Sequence, residues 1–227
     1  MSKRWPDKLV IGLTGNIASG KSVVRRMLEY LGAFGIDADG LAHRAIAPNA
    51  PAYHPVVEAF GRWILRADGQ IDRARLGRVV FSDPEALRIL EQITHPIVRE
   101  VIGLLVRRAR QRVVVIEAIK LIEDGLANDC DAVWVVDAPV EVRVERLMRD
   151  RQMSESEART RIGAQGPQPD KLARATTVID NRDGYEDTYR QVRYAFNALL
   201  GIEEPAVPPQ PETVAAGELA IRRGSPS

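Results

Sequence analysis

Short, dense apolar runs rich in β-branched residues recur along this chain, at Leu9–Thr14, Val113–Glu117, 131–137 and Thr177–Asp180. Each is brief and lacks the polar alternation of a one-sided sheet, so each predicts a strand covered on both faces. Gly35-Ile36-Asp37 predicts a further short strand that ends on an acid. Between these runs the apolar spacing becomes helical. Val23, Val24, Met27, Leu28 and Leu31 mark a helix over 21–31, with Gly32 as its stop.

Residues 38–112 read as mostly helical. Helices are predicted over 39–47 and 52–60, separated by Pro48-Asn49-Ala50-Pro51. Asp72 suits the N-cap of a helix over 73–81. Ser82-Asp83-Pro84 opens a long helix, which Pro96 is expected to kink or split near His95. Further helices are predicted at Val140–Arg151, 154–164 and Tyr185–Leu200. Strands alternating with helices imply an α/β sandwich around a parallel sheet.

Composition narrows the function classes. A net charge of +1 gives no bulk attraction to nucleic acid or membrane, so anionic ligands must be held by local Arg and Lys. The one cysteine, Cys130, precludes an intrachain disulfide and fits a reducing compartment. It precedes an apolar run and is expected to be buried and inert. No run approaches the roughly 20 apolar residues of a membrane span. The expectation is a cytoplasmic protein and a monomer.

Gly15-Asn16-Ile17-Ala18-Ser19-Gly20-Lys21-Ser22 carries the chemistry. It matches G-x-x-x-x-G-K-[ST], with a strand before and a helix after. Such a loop aims backbone N–H groups at one point, and the helix N-terminus adds partial positive charge. Residues 16–22 are therefore candidate ATP ligands. Lys21 is placed to reach the β- and γ-phosphates, and the Ser22 hydroxyl to join a Mg2+ shell.

Three further groups bear on it. Of Asp37 and Asp39, one suits a helix cap and the other a base at the carboxyl edge of the sheet; spacing alone leaves the choice open. Glu117, ending a strand, is either an ordinary strand-end acid or an indirect partner of the metal. Arg143, Arg146, Arg149, Arg151, Arg159, Arg161 and Arg174 are enriched late in the chain. Most are expected on a solvated face, with one or two on a mobile lid touching ATP.

In series, these residues resemble the dephospho-CoA kinase family. The resemblance runs through Ile36-Asp37-Ala38-Asp39 and His43, Gly69-Gln70-Ile71-Asp72-Arg73, His95-Pro96, Leu121-Ile122-Glu123, the Arg146 helix, Gln165 and Val178-Ile179-Asp180-Asn181. It covers roughly 9–200. It implies a P-loop NTPase-type three-layer sandwich with a five-stranded parallel sheet, a helical substrate-binding region and a lid. It implies ATP-dependent phosphorylation of the ribose 3′-hydroxyl of dephospho-CoA, the last step of coenzyme A synthesis, with ATP and dephospho-CoA as small-molecule partners. Asp39 matches the family's general base. His43, Arg73 and His95 fall in segments resembling its acceptor site, although His95 before a proline also suits a role bonding carbonyls freed by a kink. Arg146, Arg149 and Arg151 are the lid candidates for ATP. Lys120 and Asp150 depart from the family pattern, Asp150 standing where an arginine is usual.

The implied organisation is an N-terminal extension at 1–8 and a kinase domain at 9–200. Within that domain lie an acceptor region at about 39–112 and a lid at about 143–174. A disordered, proline-rich tail is expected at 201–227. A nucleoside or nucleotide kinase of the same architecture is the alternative enzyme. A nucleotide-driven regulator of a protein partner is the alternative outside catalysis.

Overall fold

The computed structural model describes residues 4–165 and 168–203. Five parallel strands form one sheet in the order β2-β3-β1-β4-β5. They are Leu9–Thr14 (β1), Phe34–Asp37 (β2), Val113–Glu117 (β3), Ala132–Asp137 (β4) and Thr177–Asp180 (β5). The apolar runs become strands because both faces are covered. On one face Ile11, Leu13, Val115, Trp134 and Val136 pack against Lys21–Tyr30 (α1) and Tyr185–Leu200 (α9) through Val24, Leu28, Val192 and Phe196. On the other, Val10, Val114 and Ile116 meet Val98, Ile102 and Val106 of Pro84–Arg108 (α5). Each buried aliphatic side chain contributes roughly 1.5–3 kcal/mol.

Val23 departs from the expected core stripe. It lies 42% exposed on α1, facing a cavity beside the glycine-rich loop rather than the sheet.

The helical stretch supplies its own small core. Ala38–Ala45 (α2), Tyr53–Phe60 (α3) and Arg73–Ser82 (α4) surround Val56, Ile64, Leu76 and Val80 and rest on α5. Asp72 caps α4 by accepting from the amides of Ala74 and Arg75, and Asp83 caps α5 by accepting from Glu85. The expected split at Pro96 does not occur: α5 is helical without interruption over 25 residues. Proline removes one amide from the ladder, but α2, α3 and α4 packed along α5 outweigh that local loss.

After β4 come Val140–Arg151 (α6), Glu155–Gly163 (α7) and the short Gln168–Leu172 (α8). Ser154 and Glu157 form a capping box at the start of α7. Nothing in the sequence reading anticipated α8. The N-terminal segment packs onto the domain: Trp5 is 7% exposed within the α5-side core. Lys8 donates to the carbonyls of Ala109 and Gln111 at 2.6 and 2.9 Å. Of the stretch expected as a disordered tail, 204–227 lies outside the described residues.

Candidate active site

Parallel pairing brings the carboxyl ends of β1, β2 and β3 to one edge. Leu13 and Asp37 are both register partners of Glu117, so the loop after β1 opens beside two acids. The loop itself requires glycine at two places. Gly15 has φ 150°, and a Cβ there would lie 2.3 Å from the Val136 carbonyl oxygen. Gly20 has φ 102°, and a Cβ would lie 1.9 Å from Asn181 Nδ2. Only a residue without a side chain permits both the turn and this close approach.

Lys21 leads α1 and is 7% exposed, its ammonium donating to the Asn16 carbonyl at 3.3 Å. Burial pushes its pKa down to about 8; Glu117 and Asp39 oppose that shift, and Lys171 and Arg151 add to it. The groups affecting Lys21 therefore include two acids and two cations. The Ser22 hydroxyl donates to Glu117 at 2.7 Å, and Arg25 Nε donates to the other oxygen of the same carboxylate at 2.7 Å. Glu117 is 5% exposed. Hydroxyl and carboxylate oxygens are the hard donors that a divalent cation of the magnesium type prefers, so this set fits one.

The two candidate aspartates separate. Asp37 accepts from the Gly40 amide at 2.8 Å and caps α2. Asp39 turns inward and accepts from the Ile119 amide at 3.1 Å. Its carboxyl pKa is raised by burial, which outweighs the Ile119 hydrogen bond and the Lys21 charge acting the other way. Asp39 lines a small cavity of about 70 Å³ with His95, Arg99, Lys120 and Asp124.

The acceptor-site candidates fare unevenly. His95 joins that cavity, its Nε2 3.4 Å from Asp124, so it pairs with a carboxylate rather than with carbonyls freed by Pro96. Asp124 is itself raised by burial, against the pull of His95 and Lys120. Lys120 donates to Glu91 at 2.5 Å. Glu91, His95 and Asp124 have the spacing of a metal site; the Lys120 ammonium already supplies a cation there. His43 does not bond Asp39 and stands exposed on α2. Arg73 is exposed in the first turn of α4, outside the residues lining the Asp39 cavity.

The arginines divide as well. Arg146 donates to the carbonyls of Ala18 and Ser19 at 3.2 Å each and to Asn181 at 2.7 Å, bracing the loop from outside. Arg149 is turned to its neighbour Asp150 at 2.7 Å, while the Arg151 charge acts on Lys21. All three line a cavity of about 430 Å³ that also exposes Val23 and Tyr185. Arg159 pairs with Glu155 on the outer face of α7. Sequence reasoning missed Lys171, whose buried ammonium donates to the Ile119 carbonyl at 2.6 Å. It also missed the close contact of Gln165 Oε1 with the Ile17 amide, 2.6 Å. Cys130 is partly buried, its thiol pushed up to about 12 by burial.

A family model for dephospho-CoA kinase matches residues 9–187. The chain belongs to the dephospho-CoA kinase family. It is 46% identical over 194 residues to a dephospho-CoA kinase of Moorella thermoacetica, covering 84% of this chain and 92% of that one. It is 46% identical over 186 residues to one of Geobacter sulfurreducens, covering 81% and 94%. A solved dephospho-CoA kinase of Campylobacter jejuni superposes with TM-score 0.60 at 28% identity, over 85% of this chain and 98% of that one. A solved Thermus thermophilus structure superposes with TM-score 0.75 at 35% identity, also over 85% and 98%.

Membership in the dephospho-CoA kinase family establishes a phosphotransferase that makes coenzyme A and ADP from dephospho-CoA and ATP. ATP-dependent transfer of this kind employs a divalent metal. Among the described residues, no helix is long and apolar enough to cross a membrane.

Proposed function

We propose that this chain phosphorylates the ribose 3′-hydroxyl of dephospho-CoA with Asp39 as general base, Lys21 as the cation on the moving phosphoryl group, and Mg2+ as the metal. The observation that carries the reading is the position of Asp39: a partly buried carboxylate lining a cavity, within electrostatic reach of Lys21, beside a loop built for phosphates. A hydroxyl entering that cavity could lose its proton to Asp39 while attacking a phosphorus held over Lys21.

Ser22 and Glu117 would hold the metal, Ser22 directly and Glu117 through it. A magnesium ion held by Ser22 would supply positive charge against the phosphates of ATP. The residues 16–22 would bind the triphosphate, and the 430 Å³ cavity beside Arg146 would take the nucleoside. His95 would meet the acceptor. The exposed His43 and Arg73 would serve only if the acceptor extends over the helical region 39–112. Residues 143–174 would form the lid, bringing Arg151 to the transferred group. The chain would act as a cytoplasmic monomer, with neither nucleic acid nor membrane as partner.

Incubation of dephospho-CoA with protein, ATP and magnesium should add one phosphoryl group, read by mass spectrometry, with the new phosphate at the ribose 3′ position. A faster reaction with a panel of free nucleosides would overturn the acceptor assignment.

A further inference from the structure

Lys171 lies on α8, far in sequence from either substrate segment, yet its side chain is 3% exposed. Such burial of an ammonium is costly unless its protons are used. Its Nζ donates to the Ile119 carbonyl at 2.6 Å and to Glu123 at 2.7 Å. Burial raises the Glu123 carboxyl, but the bond and charge of Lys171, together with the backbone amides of Ile122 and Glu123, outweigh it and leave the pKa lowered. Thr14 Oγ1 at the end of β1 donates to the same Ile119 carbonyl at 3.0 Å.

Ile119 is thus gripped by its carbonyl from two elements. Its amide meanwhile donates to the Asp39 carboxylate at 3.1 Å. The adjoining Ala118 amide is tied to the Leu13 carbonyl at 3.0 Å. The residue that orients Asp39 is therefore held by β1 on one side and by α8 on the other.

We propose that Lys171 is a positioning residue for phosphoryl transfer, fixing through Ile119 the amide that aims the Asp39 carboxylate. The inference rests on the reading of Asp39 as the base. A base must be held within a fraction of an ångström of its productive place, and a hydrogen bond to the charged carboxylate favours the form that accepts a proton. Without Lys171, the Ile119 carbonyl keeps only Thr14, and Glu123 loses its cation.

The test is Lys171→Met, with Lys171→Arg and Glu123→Gln beside it. Lys171→Met should lower kcat roughly ten- to hundredfold while KM for ATP stays within about twofold. The acid limb of its kcat–pH profile should move upward by roughly half a unit as Asp39 loses support for its charge. The groups facing Asp39 are Lys21 from α1, Asp37 before α2, Glu117 from β3, His95 and Arg99 from α5, and Lys120 and Asp124 beyond β3; none is itself substituted, although Lys171 also lowers Lys21 and Glu123 also raises Asp124. Lys171→Arg should recover part of kcat. Glu123→Gln, at a residue 44% exposed, should shift the limb in the same direction by less, and carries the test should Lys171→Met not fold. Placed in an Asp39→Asn background, Lys171→Met should cost little more. An unmoved acid limb in both Lys171→Met and Glu123→Gln, or a full multiplicative loss in the Asp39→Asn background, overturns the inference. Near-normal turnover of Asp39→Asn alone would instead overturn the assignment of the base.

Discussion

The Ser22 hydroxyl donates to Glu117 at 2.7 Å across the gap between α1 and β3. That contact orients the Ser22 hydroxyl, the candidate metal ligand of the loop, and Arg25 holds the carboxylate by its other oxygen. Outer partners of metal ligands commonly govern metal affinity by 10- to 100-fold. Glu117→Gln keeps an acceptor for Ser22 but removes the charge. The magnesium concentration giving half-maximal rate should rise by roughly tenfold or more, with KM for dephospho-CoA little changed. Magnesium titration of initial rates reads this directly, and an unshifted midpoint would remove Glu117 from the metal site.

Asp39 pits function against stability. Burial raises its carboxyl pKa, so the charged form is less stable in the folded chain than in the unfolded one. The folded state therefore binds this proton more tightly, and the charge becomes a cost to stability as pH rises through and above the ordinary carboxylate range. Asp39→Asn retains an acceptor for the Ile119 amide without the charge. Turnover should fall at least about tenfold, ATP binding should persist, and the unfolding midpoint at neutral pH should stay level or rise. A fall in midpoint together with normal turnover would contradict both halves.

Lys21 supplies a pH signature of its own. Its pKa in the free protein is about 8, lowered chiefly by burial. Phosphate oxygens placed against the ammonium favour the charged form and return the pKa upward. Between about pH 8 and the higher value of the complex, ATP binding should therefore take up a proton, and affinity should weaken as pH rises through that window. Calorimetric titrations at pH 9 in buffers of different ionisation enthalpy measure the uptake. Its absence at pH 9, with Lys21→Met behaving identically, would show that the ammonium does not meet the nucleotide.

Most of the fold was legible because its elements are local. The strands are short β-branched runs, and α4 and α5 announce themselves through Asp72 and Asp83. The helix α8 was not legible: five residues hold no period to read. The split allowed for at Pro96 did not follow, because tertiary packing along α5 overrides a local breaker. The phosphate loop was legible from its spacing. The division of labour between Asp37 and Asp39 was not: residues two apart on a strand share a face, and only the passage from β2 into α2 at Ala38 turns the two side chains apart. Lys171 gave no signal at all: its partners lie about 50 residues away, and only the fold brings them together.

The arginines flanking Asp150 should prove unequal. Arg149 spends its guanidinium on Asp150, through contacts of 2.7 and 3.2 Å, and both side chains are exposed. The Arg151 charge, by contrast, is felt at Lys21. A cation that meets the transferred phosphoryl group only as charge develops is worth far more in turnover than in binding. Arg151→Ala should thus lower kcat at least about tenfold with KM for ATP changed less. Arg149→Ala should stay within about twofold, because its loss leaves only a solvated Asp150 behind. Steady-state kinetics of the two variants, measured side by side, decide the register of the lid. The reverse ranking would place Arg149 over the phosphates and require Asp150 to release it when ATP binds.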